Sequence, residues 1–438
     1  MKRRLTVGAA AAVLAAAALL LGGAFRGGSS AASAPVAAPA TAESLQTGFS
    51  PGSTEGLVAR LQAQLRTAPD DARALDLLGL AYQQRARETG DPTWYAKSDG
   101  VLRKALRLAP DDLLATSGLG SLALSRHRFA AALTLGERAR RLSPTTARNY
   151  GVIGDALVEL GRYRDGFRAF DRMATLKPSL SSYARVAHAR ELIGDWDGAV
   201  SAMKLAVDSA IGEQEPTAWT RVQLGKLYWN RGRLAQADRE FRDALTAFPG
   251  YVYALDARAQ VEAARGRIRP AIALERQASD TIPLPQFVAT LGDLYRVEGD
   301  ERGARREYAL IGVIERLLRA NGVKTDLETA LFDVDHRVRL PHALSLARLA
   351  QAERPSIDGD DVLAWALARN GRCAEARAWS ERALRLGTRD ALKFFHRGWI
   401  EACLGDRSAA RLWYRRSLAL NPHFSILWAP VARKGVSS

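Results

Sequence analysis

Along most of the chain, apolar and small residues recur three or four positions apart, in short blocks separated by brief turns, which predicts helices. The stretch Trp219 to Gly250, WTRVQLGKLYWNRGRLAQADREFRDALTAFPG, shows the unit. Leu224, Gly225 and Tyr228 share one face of a first helix. Ala237, Phe241 and Ala244, at i, i+4 and i+7, share one face of a second. Between them "NRG" closes the first helix, with Gly232 as the left-handed residue past its end. Pro249 stops the second helix. Gly225 and Ala237 are expected to face each other where the two antiparallel helices cross closest. Tyr228 and Phe241 then fill the space beside that contact.

The unit repeats. Pro110, Pro144 and Pro178 stand 34 positions apart, as do Pro249 and Pro283, and Pro422 falls 34 after Thr388. A fixed period near this length marks an array of helix pairs. Gly120 and Ala132 precede Pro144, Gly154 and Phe170 precede Pro178, and Gly398 and Tyr414 precede Pro422. Gly292 and Tyr308 mark another unit, and one copy carries Ala187 in place of the glycine. About ten units run in phase over residues 54–423. An early unit holds extra residues near "RETGDPTW", and "GEQEP" is a shorter insertion before Trp219. A lone helix from Gly56 to Thr67 and the segment 424–438 are expected to cover the two open ends.

The order W-x2-L-G-x2-Y, then A-x3-F-x2-A, then P, as it stands from Trp219 to Pro249, resembles the tetratricopeptide repeat (TPR) family. The resemblance extends from about residue 55 to the end. It implies an all-α solenoid of stacked antiparallel helix pairs forming a right-handed superhelix. It also implies a concave face, lined by the first helix of each pair, that holds segments of a protein or peptide partner. Carried over by position, that face comprises Trp219, Lys226, Trp229 and Asn230, then Tyr253, Asp256 and Gln260, then Asp293 and Arg296. Near the end it comprises Asp361, Trp365 and Arg369, then Phe395 and Trp399. Aromatic and arginine side chains are common interface anchors. Of the Lys and Asn set with which one TPR subgroup clamps a C-terminal carboxylate, only Lys226 and Asn230 have counterparts, so that ligand is not expected.

The start of the chain changes the picture of where this happens. "MKRR" precedes an uncharged run from Leu5 to Phe25. A basic start before such a run reads as an export signal, and the run is also long enough to span a bilayer. Residues 1–25 are thus a cleaved signal or an uncleaved anchor, and either places the rest outside the cytoplasm. Residues 26–53, rich in Ala, Ser, Pro and Gly, read as a flexible tether. The net charge of +16 would suit an anionic polymer or lipid surface, which is the alternative reading. Its basic residues are scattered among acids and are mostly arginine, so nucleic acid is not an expected partner.

Chemistry has little support. Metalloprotease, nucleophile-elbow, P-loop and C-x-x-C motifs are all missing, so no cofactor and no catalytic residue are expected. Cys373 and Cys403 fall at the same edge of the stack. They read either as a disulfide or as two buried small hydrophobes. The densest polar cluster is "DVDHRVRLPHA", Asp333 to Ala343. With Ala343 placed on the position of Ala237, it is an inter-helix turn, in which Val338 replaces Gly232 and Pro341 opens the second helix. A metal-dependent enzyme using Asp335 and His336, with His342, is the rival reading, without a known ligand spacing.

Overall fold

The structure is a computed structural model that describes residues 53–210 and 214–437. The expected signal or anchor over 1–25, and the tether up to its last residue, lie outside the described residues. Among the described residues the chain forms 22 helices and no strand. A single helix, α1 (Ser53–Thr67), leads in. Ten pairs follow: α2 and α3 (Ala72–Thr89, Thr93–Leu108), α4 and α5 (Leu113–Ser125, Phe129–Leu142), α6 and α7 (Ala147–Glu159, Tyr163–Leu176), α8 and α9 (Leu180–Leu192, Trp196–Asp208), and α10 and α11 (Gln214–Trp229, Leu234–Ala247). The later pairs are α12 and α13 (Val252–Ala264, Ile268–Thr281), α14 and α15 (Pro285–Glu298, Glu301–Ala320), α16 and α17 (Asp326–Asp335, Leu340–Glu353), α18 and α19 (Ile357–Arg369, Cys373–Ala383), and α20 and α21 (Ala391–Cys403, Arg407–Leu420). A last helix, α22 (Trp428–Ser437), closes the stack. No helix of the described residues is long and apolar enough to cross a membrane.

Aspartates start many of these helices. Asp112 accepts from the Ala115 N–H at 2.7 Å and Asp406 from the Ala409 N–H at 2.8 Å. Each satisfies a backbone donor that has no partner within its own helix.

Within a pair the helices meet through a size match. A Cβ added to Gly225 would lie 2.3 Å from the Phe241 ring, and one on Gly154 2.4 Å from Phe170. On Gly292 it would lie 2.4 Å from Tyr308, and on Gly398 2.6 Å from Tyr414. In all four the ring stands 16 residues after the glycine. A Cβ on Gly225 would thus meet the Phe241 ring first; in equivalent units the residue at the Ala237 position is close as well, the Gly166 carbonyl oxygen 3.1 Å from a Cβ on Gly154 and the Ala410 carbonyl oxygen 3.3 Å from one on Gly398, so the crossing pairs small residues with a ring beside them. Where the first helix carries alanine, the residue at the same offset is not aromatic, as with Ala187 and Met203 or Ala364 and Ser380. Gly225→Ala is expected to lower stability by about 1–2 kcal/mol, crowding outweighing the gain in helix propensity. Gly100→Ala is expected to raise it by up to about 1 kcal/mol, since a Cβ there meets nothing within 4 Å. Urea midpoints that shift in the same direction for both would refute the size match.

The pairs wind into a superhelix whose successive turns touch along a seam. Most hydrogen bonds across it join residues 192 to 198 positions apart, a little under six units, and Arg231 reaches the Arg389 carbonyl over 158. His127 Nδ1 lies 2.8 Å from the Lys324 carbonyl oxygen, and the Tyr163 hydroxyl accepts from the Ile357 N–H at 2.6 Å. Asn421 donates to the Trp229 carbonyl at 2.9 Å, and the Thr388 hydroxyl donates to the Leu192 carbonyl. Arg354 is the main ionic tie. It donates to Glu159 on the earlier turn and to Glu328 at 3.0 Å, with its guanidinium 5.2 Å above the Phe129 ring. Gly161 is required here for two reasons. Its φ is +71°, and a Cβ would lie 2.3 Å from the Pro355 carbonyl oxygen.

The turn inside "DVDHRVRLPHA" departs from expectation. The left-handed residue that follows the helix is Arg337 (φ +57°), one position before Val338, and Arg339 (φ +46°) is left-handed as well. Four residues separate the two helices here, as they do between Trp229 and Leu234, so Val338 keeps the position of Gly232 while the left-handed conformation passes to the arginines on either side. Pro341 does sit in the first turn of α17. Cys373 and Cys403, at the start of α19 and the end of α20, form a disulfide with their Cα atoms 6.1 Å apart.

Candidate functional site

First helices of successive pairs pack on one another: α2 on α4, α4 on α6, α10 on α12, α16 on α18 and α18 on α20. Second helices make no comparably extensive contact. The stack therefore curves with its first helices inside, and the tight winding encloses that inner face.

Between α2 and α13 the inner face is polar and partly open to water. Arg185 holds Asp155 through two donors, at 2.7 and 3.0 Å. Burial pushes the Asp155 carboxyl up to about 7, although Arg185 opposes the shift. Arg148 donates to the Ser121 hydroxyl at 2.8 Å. Glu215, at the start of α10, is raised by burial and restrained by Arg87 of α2. Lys226 is lowered by burial, with Asp256 and Glu191 opposing. Gln260 donates to Asp256 at 3.1 Å. The Tyr253 ring meets Phe287 edge-on at 5.7 Å. Trp219 is buried, and Arg296 points to solvent.

Glu275, on α13, is the extreme case. It is 0% exposed and neither carboxyl oxygen has a hydrogen-bond partner. Burial, and then Asp256, hold its carboxyl far above the usual value. The folded chain therefore keeps a proton that the unfolded chain releases once pH exceeds about 4.3. Stability falls as pH rises, by up to about 1.4 kcal/mol per unit from this group. Denaturant titrations from pH 5 to 8 are expected to show a shallower decline for Glu275→Gln, and equal slopes would refute the assignment.

Trp229 and Asn230 lie at the seam, beside a cavity of about 340 Å³ that His188, Asp358 and Lys393 also line. Asn230 donates to Glu191 at 2.8 Å there. Lys393 ties Asp358 at 2.7 Å to Asp390 at 3.0 Å. These two expected face residues thus border the junction between turns.

The last part of the expected face is filled by the chain itself. Trp365 and Phe395 are both 0% exposed. Trp428 of α22 meets Trp365 edge-on at 5.4 Å and stacks on Phe395 at 5.5 Å, and Trp399 packs 6.0 Å from Trp428. The Arg369 guanidinium sits about 5 Å from the rings of Trp365, Trp399 and Trp428. Placing Trp365 and Phe395 on an open groove is corrected accordingly: the tail after Pro422 folds back and buries them, because four aromatics bury more apolar area together than apart.

Asp335 and His336 serve the same packing. Asp335 accepts from the indole N–H groups of Trp365 at 2.8 Å and Trp428 at 3.0 Å. His336 bridges the Phe332 carbonyl and Asp293, both at 2.8 Å, and Asp293 also accepts from the Tyr308 hydroxyl at 2.7 Å. Burial works against a charged His336, yet the hydrogen bond to Asp293 holds it above the usual histidine value. His342 is exposed and does not join them. Among the described residues no three His, Cys, Asp or Glu side chains gather as metal ligands.

Arg87, Arg148 and Arg185 were not among the residues expected on this face. The signal for one of them was present: in the unit of Gly154, Arg148 holds the position that Trp219 holds in the unit of Gly225.

Residues 220–251 match the tetratricopeptide repeat family. Over 126 residues, 28% of this chain, the sequence is 32% identical to Superkiller protein 3 of Schizosaccharomyces pombe, and it spans 9% of that protein. A thermophilic TPR protein of Thermus thermophilus, TTC0263, aligns at 22% identity with a TM-score of 0.38, over 44% of this chain and 98% of that one. The human IFIT1 dimer with PPP-AAAA aligns at 13% identity with a TM-score of 0.42, over 86% and 96%. With the family match at 220–251 and ten helix pairs of one plan, the described residues fold as an all-α solenoid of the tetratricopeptide-repeat type.

Proposed function

We propose that this solenoid is a non-catalytic scaffold that holds a protein or peptide partner on its inner face, outside the cytoplasm. The observation that carries the reading is the enclosed, partly exposed stretch around Arg148, Lys226 and Tyr253, where charged groups and rings are interspersed on the first helices. A wound stack presents such a face preformed, so less freedom is lost on docking. The basic start and uncharged run through Phe25 support the location, and a disulfide suits an oxidising compartment. The engagement of Asp335 and His336 in tryptophan and aspartate hydrogen bonds supports a non-catalytic role for that cluster.

A second reading has its own support. An outward cleft of about 550 Å³ carries Arg140, Arg162, Arg168 and Arg172 around Leu133, Ile153 and Leu157, and would suit an anionic polymer or lipid. Capture from extracts of the source cells separates the two. A partner held by the full chain, released by Lys226→Ala with Tyr253→Ala and little affected by salt, supports the inner face. Retention that ignores this double variant but collapses as salt is raised supports the outer cleft instead.

A further inference from the structure

Three arginines meet on the inner face, and one lacks a counter-charge. Arg185 has Asp155 at 2.7 Å, and Arg87 has Glu215 and Glu88 within electrostatic reach. Arg148, near the start of α6, has only the Ser121 hydroxyl at Nη2, while its Nη1 is buried with no hydrogen-bond partner. The charges that act on Arg148 are those of Arg87 and Arg185, both cations. Burial first, and then these two, lower its guanidinium only to about 10, so it remains charged at neutral pH. An unpaired cation in such surroundings is strongly destabilising unless an anion meets it. Arg148 keeps some water-accessible surface, so an anion can arrive along the inner face.

We propose that Arg148 is the anchor for an acidic side chain of a partner segment lying along the inner face, forming a charge-assisted hydrogen bond with its carboxylate. This rests on the scaffold reading above. A protein carboxylate fits better than a nucleic-acid backbone because the inner face mixes charges of both signs: Asp155 and Glu215 stand beside Arg185 and Arg87, and Asp256 beside Lys226 further along. Such a face accepts isolated acids and repels a uniform string of phosphates.

The test uses the full chain and fluorescence anisotropy with three labelled probes. These are a peptide of four Gly-Glu repeats, its Gly-Gln counterpart and a single-stranded RNA octamer. The Gly-Glu peptide is expected to bind at least tenfold more tightly than the Gly-Gln peptide, and R148Q is expected to abolish that difference. R148Q should also melt at a higher temperature than the parent chain, since it removes an uncompensated charge. Equal affinity of the parent chain and R148Q for the Gly-Glu peptide would overturn the proposal. So would a lower melting temperature for R148Q, which would indicate an internal partner. RNA binding that R148Q weakens would overturn the choice of carboxylate. If the parent chain ignores the Gly-Glu peptide yet still captures its cellular partner through Lys226 and Tyr253, the anchor fails and the scaffold stands. Loss of both refutes the scaffold itself.

Discussion

Arg354→Ala is expected to lower global stability by about 3 kcal/mol, the lower end for breaking a buried ion pair, because Glu328 keeps water on one side. Burial alone would pull the Arg354 guanidinium down, but Glu159 and Glu328 hold it above its usual value, so it stays charged throughout the accessible pH range. Removing it strands Glu159 between two turns of the superhelix and exposes the Phe129 ring it covers. Repeats in an ordinary solenoid interact only with neighbours, so a single change there acts locally. Here Arg354 and Glu159 are 195 residues apart, and the damage should reach both turns. Hydrogen exchange is expected to rise around Glu159 as well as around Arg354, and small-angle scattering should report a longer particle. Arg348→Ala, which breaks only the exposed pair with Glu375, is expected to change stability by less than about 1 kcal/mol. A local effect from Arg354→Ala, with Glu159 still protected, would show that the turns do not support one another.

Trp365→Ala is expected to be the most damaging single truncation, at about 3–5 kcal/mol. Trp365 is fully buried, and its indole N–H is one of two donors to Asp335. The change leaves a large cavity, removes a donor from a carboxylate that burial already pushes up, and deprives α22 of the ring against which Trp428 stands. The tail should therefore loosen before the rest of the stack. Limited proteolysis is expected to clip the chain near α22 in the variant at protease levels that leave the parent intact, and Trp428 fluorescence should shift to the red. A tail equally protected in both would mean that α22 is held by other contacts, such as Gly435 against Tyr414.

How much of this was legible depends on the distance over which each feature is determined. Gly225 and Phe241, or Gly154 and Phe170, are close in sequence, and their size match is a property of one helix pair. The turn prolines and the N-capping aspartates are more local still. The inner face was half legible. Lys226, Tyr253, Asp256 and Gln260 share a connected stretch of it, whereas Arg148, at an equivalent position in an earlier unit, stands out only once its neighbours Arg87 and Arg185 are placed around it. The polar cluster at Asp333–Ala343 was misleading for a related reason. Its side chains pair with Asp293, Trp365 and Trp428, and the Trp428 contact spans 93 positions.

The sequence by itself determined the helix pairs, their period, the glycines that admit rings and the all-α solenoid class, because each of these follows from neighbours within one unit. Only the tertiary structure decided the pitch. The rotation between one pair and the next is small, set by many contacts at once, and it accumulates over nearly six units before Arg354 can reach Glu159 or Asn421 can reach the Trp229 carbonyl. The same accumulation encloses Arg148 among cations, and the folding back of α22 converts Trp365 and Phe395 from groove residues into core. No single position encodes that sum.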